Sequence, residues 1–303
     1  MEAEIKSQSM RSIEGSKEPT IRTNNELFDS WLSKDGGLVA PSCILLSGDS
    51  GSGKTTIVVN LMKWLKNVKS HMYSREMRDG AVKDQTKNVV FEHDNAFIAD
   101  ERRLPHFEDF MKEIKVIQPK VIIIDSLQAV TEQDFPHLSE EEAEKYVVST
   151  LRKWADETNG VVILICHNTK DGDYKGCAAI KQYLDAHAVT RFDLKTKSRK
   201  ILFEKNRKGR VGELFYDFEE KGVVFYTPEQ WAIKTQKDRN FSKSILDTIQ
   251  SYLDTADKKT ENYASFKKDY IFAKKELEKI NDGAEHVAAV VKLMSQLTYK
   301  YGI

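Results

Sequence analysis

The sequence predicts an α/β fold, a mainly parallel sheet flanked by helices, with a small C-terminal helical appendage. Three observations lead there. Apolar strand-like runs alternate with helical patterns through most of the chain, as βαβ units require. The apolar run Cys43–Ser47 leads into a Gly- and Ser-rich loop and then an amphipathic stretch, the order of a phosphate-binding βα turn. Beyond Ile233 the composition turns polar and basic, and three helical patterns follow.

Taken in order, residues 1–23 lack a sustained apolar period and read as a flexible N-terminal arm, punctuated by Gly15 and Pro19. From Asn24, Leu27, Trp31 and Leu32 fall at helical spacing behind an Asn cap, and Gly36-Gly37 stops that helix. Strands are expected at Cys43–Ser47, His71–Ser74, Val89–Phe91, Val121–Asp125 and Val161–Cys166. Between the last two, Ser139 and Glu142 form a capping box. Ala143, Val147, Leu151 and Trp154 make one face of the helix that follows, and Asn159-Gly160 closes it. After His187, alternating runs at Ala188–Phe192, Lys200–Phe203, Leu214–Phe218 and Val223–Tyr226 predict antiparallel strands finishing the sheet. The expected organisation is an arm over 1–23, an α/β core over 24–232 and a helical appendage over 233–303.

Composition narrows the class. Lys plus Arg number 47 and Asp plus Glu number 47, so a wholly basic nucleic-acid glove is excluded and any such contact must be local. The three cysteines, Cys43, Cys166 and Cys177, form no CxxC pair, which argues against zinc and for reduced packing residues. No signal core or membrane-length apolar run is present, and a soluble cytoplasmic protein is expected.

Gly48-Asp49-Ser50-Gly51-Ser52-Gly53-Lys54-Thr55 matches GxxxxGK[ST] residue for residue, and with Thr56 it is the expected nucleotide-binding segment. Glycines let successive backbone N–H groups face phosphates, and the helix starting near Lys54 adds its positive dipole end. Lys54 is expected on the β- and γ-phosphates of ATP, and the Thr55 hydroxyl on magnesium. Val121-Ile-Ile-Ile-Asp125 is an apolar strand ending in a carboxylate at the carboxyl edge of the sheet, which fits an aspartate serving the same magnesium.

These motifs resemble the RecA-fold ATPases, and within them bacterial RadA (Sms) and the DnaB-type helicases, from about Asn24 to Tyr226. The expected sheet is therefore RecA-like. Ser74-Arg75-Glu76-Met77 is similar to the S-x-E-M of DnaB-type proteins and the S-G-E-E of RadA, which implies that Glu76 polarises the attacking water. Ile124-Asp125-Ser126-Leu127-Gln128 is similar to I-D-S-I-Q, implying relays at Ser126 and Gln128. His167-Asn-Thr-Lys170-Asp-Gly is similar to H-V-T-K-E-G, implying a γ-phosphate sensor at His167 that leads into a DNA loop. Glu204-Lys205-Asn206-Arg207-Lys208-Gly209 is similar to K-N-R-F-G, implying that Lys205 and Arg207 reach a neighbouring subunit's nucleotide. Lys208 departs from the aromatic of that motif. The resemblance carries over neither the four-cysteine zinc module nor the protease-like C-terminal domain of RadA.

Of the two loops that would face DNA, the segment from Lys170 through Lys175 to Lys181 offers cations and an aromatic on a flexible backbone. Thr131–Glu144 is acidic and suits a helix start. The expected function is an oligomeric ATP hydrolase, a hexameric ring acting on single-stranded DNA in replication or recombination as a helicase or branch-migration motor. The alternative is a KaiC-like regulatory or assembly ATPase that switches protein contacts without DNA. Neither needs a membrane.

Overall fold

In the computed structural model, residues 18–168, 178–193, 197–220, 222–255, 263–279 and 283–301 are described. Strand β1 (Thr20–Ile21) lies within the stretch read as an arm and pairs antiparallel with β2 (Leu38–Val39). Between them runs α1 (Glu26–Leu32), whose cap Asn25 accepts from the Phe28 N–H. The buried Asp29 carboxylate accepts from the Thr23 hydroxyl at 2.6 Å, which fastens this helix to the chain before it.

Among the described residues the main sheet has nine strands: β3 (Ser42–Gly48), β4 (Ser70–Ser74), β5 (Ala96–Asp100), β6 (Val121–Asp125), β7 (Val161–Ile165), β8 (Ala186–Phe192), β9 (Arg199–Asn206), β10 (Gly212–Glu219) and β11 (Gly222–Tyr226). Their spatial order is β11-β10-β9-β8-β3-β7-β6-β4-β5. Pairings from β8 across to β5 are parallel, and those from β8 through β9 and β10 to β11 are antiparallel. The switch from parallel to antiparallel falls where the apolar rhythm changes after His187.

Strand alternation divides the core between two faces. Val121, Ile123, Val161, Ile163 and Ile165 join α2 (Lys54–Trp64) and α1 on one side. Ile122, Ile124, Val162 and Leu164 join α4 (Phe107–Ile117), α5 (Leu127–Asp134) and α6 (Glu140–Thr158) on the other, while α3 (Asp79–Gln85) flanks β5. The capping box of Ser139 and Glu142 is present, and α6 ends on Asn159 in the left-handed conformation. Cys43 and Cys166 are buried, and burial pushes the Cys43 thiol up to about 12; Cys177 lies outside the described residues.

One strand expectation is corrected. Val89–Phe91 is not a strand: the Val89 N–H donates to the Thr86 carbonyl in a turn, and Val90 is exposed. The edge position belongs to Ala96–Asp100, whose five residues pair in register with β4, a length three apolar residues cannot supply.

Beyond β11, α7 (Pro228–Thr255) runs unbroken past the boundary expected at 232/233, and α8 (Tyr263–Leu277) and α9 (Gly283–Tyr301) follow. Trp231 stacks on Phe215 with centroids 5.4 Å apart, and Lys234 pairs with Asp217 at 2.9 Å, so the first turns of α7 sit on β10. Its later residues Ile249 and Leu253 share a third apolar cluster with Phe266, Tyr270, Leu293 and Leu297. Among the described residues no helix is long and apolar enough to cross a membrane.

Candidate active site at the carboxyl edge of the sheet

The segment from Gly48 to Gly53 joins β3 to α2, and Lys54 is the first helical residue. Gly53 has φ +97°, and a Cβ there would stand 2.3 Å from Cζ of Phe218, so both backbone and space demand glycine. The loop is braced from the antiparallel side. The Tyr216 hydroxyl donates to the Ser52 carbonyl at 2.5 Å, and Ser52 Oγ and Thr190 Oγ1 share a hydrogen bond of 2.7 Å. Sequence reasoning missed Thr190, Tyr216 and Phe218, because inward-facing strand residues carry no local motif.

Lys54 is buried, and its ammonium donates to the carbonyls of Gly48 at 2.8 Å and Asp49 at 2.9 Å. Burial lowers its pKa, a shift that Glu76, Asp125 and Asp49 oppose by favouring the charged form. A phosphate entering the loop would take the place of those carbonyls as acceptor.

Strand β6 delivers Asp125 to the same edge, where its Oδ2 accepts from the Thr55 hydroxyl at 2.9 Å. Its Oδ1 is buried with no hydrogen-bond partner among the described residues. Burial, aided by Glu76, raises the Asp125 carboxyl to about 6, against the Thr55 hydrogen bond and the Lys54 charge, which favour the carboxylate. A hydroxyl and a carboxylate with an oxygen to spare are hard donors that fit magnesium. Among the described residues no group of three or more His, Cys, Asp or Glu side chains is placed to hold a metal ion.

Strand β4 ends at Ser74, and Glu76 lies just past it with an oxygen 2.8 Å from His167 Nε2, beyond the end of β7. The His167 hydrogen bond, partly offset by burial, holds the Glu76 carboxyl below its ordinary range. The His167 backbone N–H donates to Gln128 Oε1 at 3.4 Å, and Ser126 caps α5. Lys54, Thr55, Glu76, Asp125, Gln128 and His167 are therefore brought to one edge.

Lys205 and Arg207 are elsewhere. Lys205 pairs with His187, which is level with Leu45, and the Arg207 N–H donates to the carbonyl of Asp185, whose own N–H donates to the Cys43 carbonyl. Arg207 therefore lies near the opposite edge, about 16 Å below Gly48 along the strands. The Lys205 ammonium donates to the Lys181 and Leu184 carbonyls at 3.1 and 2.6 Å. Arg207 is half-exposed, with a nitrogen 3.7 Å from Asp185. The turn is anchored on α1: Asn206 Nδ2 donates to the Trp31 carbonyl at 3.0 Å, and a Cβ on Gly209 would stand 2.3 Å from that oxygen. Lys170 and Lys175 lie outside the described residues. Lys181 is exposed in a short 3-10 helix, Ala178–Gln182. The acidic residues Glu140, Glu141 and Glu142 fill the first turn of α6.

The sheet order and the strand–loop–helix phosphate cradle define a RecA-fold P-loop ATPase. An AAA domain model matches residues 28–173. Within the class, the chain resembles RadA, as its motifs led us to expect. It is 27% identical over 217 residues to the DNA repair protein RadA of Escherichia coli, covering 69% of this chain and 45% of that one. It is 28% identical over 186 residues to RadA of Mycolicibacterium smegmatis, covering 59% and 39%. The chain spans about half the length of the curated relatives it matches. A KaiC-like protein of Pyrococcus horikoshii superposes with a TM-score of 0.57 at 18% identity, covering 70% of this chain and all of that one, which shows the shared fold.

Proposed function

We propose that this protein is a magnesium-dependent ATP hydrolase that works as a ring of identical subunits on single-stranded DNA, in replication or recombination. The observation that carries the proposal is the split of its charged groups. The phosphate loop, Thr55, Asp125 and Glu76 share one edge of the sheet, whereas Lys205 and Arg207 lie near the other, beyond reach of their own loop. Stacked subunits would bring the cations of one copy to the loop of the next.

In this assignment Lys54 and the loop N–H groups hold the phosphates, while Thr55 and Asp125 hold magnesium, which supplies charge neutralisation when bound. Glu76 accepts the proton of the attacking water, and His167 orients Glu76 and senses the γ-phosphate through the Gln128 link. The likeness to a DNA repair protein supports DNA as the partner. The neutral overall charge and the acidic start of α6 support a second reading, a KaiC-like switch that regulates protein contacts without DNA.

Turnover of ATP with and without single-stranded DNA separates the two. Stimulation by DNA in the wild type, with no turnover in a folded Lys54→Ala variant, is expected. Turnover indifferent to DNA, with no DNA binding at low salt, favours the switch, and undiminished hydrolysis by Lys54→Ala rejects the phosphate-loop assignment itself.

A further inference from the structure

Arg75 sits between the last residue of β4 and Glu76, and its side chain turns into the protein. The guanidinium is ion-paired with Asp134, the last residue of α5, and the Asp134 side chain is 0% exposed against 7% for Arg75. The Tyr73 hydroxyl donates to the other Asp134 oxygen at 3.2 Å, and the Arg75 guanidinium carbon lies 5.9 Å from the centroid of the Tyr73 ring.

The backbone is fixed at the same place. Gln133, also on α5, donates from Nε2 to the Arg75 carbonyl at 3.2 Å. The Arg75 and Glu76 N–H groups both donate to the Asp125 carbonyl, at 2.7 and 3.2 Å. The peptide joining Arg75 to Glu76 is thus held at its oxygen by α5 and at its hydrogen by β6. That peptide plane sets the direction in which the Glu76 side chain leaves the chain.

A buried ion pair is a poor way to gain stability alone, since desolvating both charges offsets their attraction and an apolar pair of similar volume often serves as well. This one is imperfect on that count, because Arg75 Nε is buried without a hydrogen-bond partner among the described residues. What the pair provides is direction: one guanidinium nitrogen on one oxygen of a carboxylate whose other oxygen is held by Tyr73 sets the register of α5 against β4 more narrowly than apolar contact does.

We propose that Arg75 is a positioning residue for Glu76, acting through its buried ion pair with Asp134 to lock the end of α5 against the turn that carries Glu76. The proposal rests on the Glu76 role given above. It also makes α5 a two-ended brace, since its first turn meets the other side of the site through Gln128 and the His167 N–H. A displacement of about 1 Å in a catalytic group is enough to cost orders of magnitude in rate.

The test compares full-length wild type, Arg75→Met, Asp134→Leu, the double variant and Glu76→Gln, measuring thermal midpoint, kcat and KM for ATP. Each single variant leaves a buried charge unpaired and should melt earlier, whereas the double variant should regain most of the lost midpoint. Its kcat should stay about tenfold or more below wild type, with KM little changed. A double variant with restored stability and wild-type kcat overturns the proposal, because the pair is then structural only. Should the double variant fail to fold, Gln133→Ala decides. This exposed residue loses only its bond to the Arg75 carbonyl, so a severalfold lower kcat at an unchanged midpoint supports the proposal and a wild-type kcat overturns it. Glu76→Gln keeps the two failures apart: unchanged turnover there removes the Glu76 role, and reduced turnover there beside a wild-type double variant removes the positioning role alone.

Discussion

The parallel and antiparallel halves of the sheet solve different problems. In the parallel half, β3, β4, β6 and β7 are covered on both faces, β6 and β7 run as nearly unbroken apolar segments, and the polar groups emerge together at the carboxyl ends. In the antiparallel half, β9 and β10 alternate buried and part-exposed residues. That half contributes support, with Tyr216 and Phe218 bracing the phosphate loop and Asn206 and Gly209 anchoring the cation turn to α1. One half gathers the phosphate loop, Asp125 and Glu76 at one edge, and the other holds Lys205 and Arg207 away from them.

The sharpest way to break this contrast is to mix subunits. Lys205→Ala with Arg207→Ala should lower ATP turnover by about 10³–10⁵, the size of an arginine-finger effect. Mixed with Lys54→Ala subunits, some activity should return where an intact loop meets intact cations. A double variant that hydrolyses ATP at the wild-type rate would falsify the division of labour.

Within the parallel half, Glu76→Gln should bind ATP normally and turn it over about 10²–10⁴-fold more slowly, the usual worth of general-base catalysis. Single-turnover measurements separate binding from chemistry, and an unchanged chemical step would assign the base elsewhere.

The burial of the parallel half can be read by pH. His71 on β4 is 1% exposed, and burial pushes its pKa down to about 4. The unfolded chain therefore takes up the proton first, near pH 6.5, so stability is full above that value and falls as pH drops towards 4. The loss amounts to roughly 3 kcal/mol at most. Urea titrations of wild type and His71→Gln at pH 7 and 4.5 should show a smaller pH dependence in the variant; parallel curves would mean that His71 is solvated.

The smallest effect is expected beyond β7. Lys170→Ala with Lys175→Ala should weaken single-stranded DNA binding and flatten its log–log salt slope by about 1.4, from two lost phosphate contacts. Identical slopes for variant and wild type would place DNA away from this segment.

What could be read in the sequence follows the same division. The parallel strands announce themselves by apolar runs, and the loop and Asp125 by spacing, since each depends on residues adjacent in the chain. The capping box at Ser139 is legible for the same reason. The edge strand escaped detection: Ala96–Asp100 has a single strong β-former pair, Phe97 and Ile98, and Val89–Phe91 looked more apolar. Neither the Arg75–Asp134 pair nor the Tyr216 brace could be foreseen, because each joins residues far apart in the chain through the stacking order of the strands. The anchoring of Arg207 near Asp185 needed that order as well.

The unbroken passage of α7 out of the sheet has a mechanical meaning. Its 28 residues make a rod about 42 Å long, gripped at one end by Phe215 and Asp217 and carrying Ile249 and Leu253 near the other. Because the opposite side chains of β10 touch the phosphate loop, the rod and the loop share a fulcrum. A tilt of about 5° there would sweep the far end through roughly 4 Å, so a change too small to notice at the loop would become a visible displacement of the C-terminal helices.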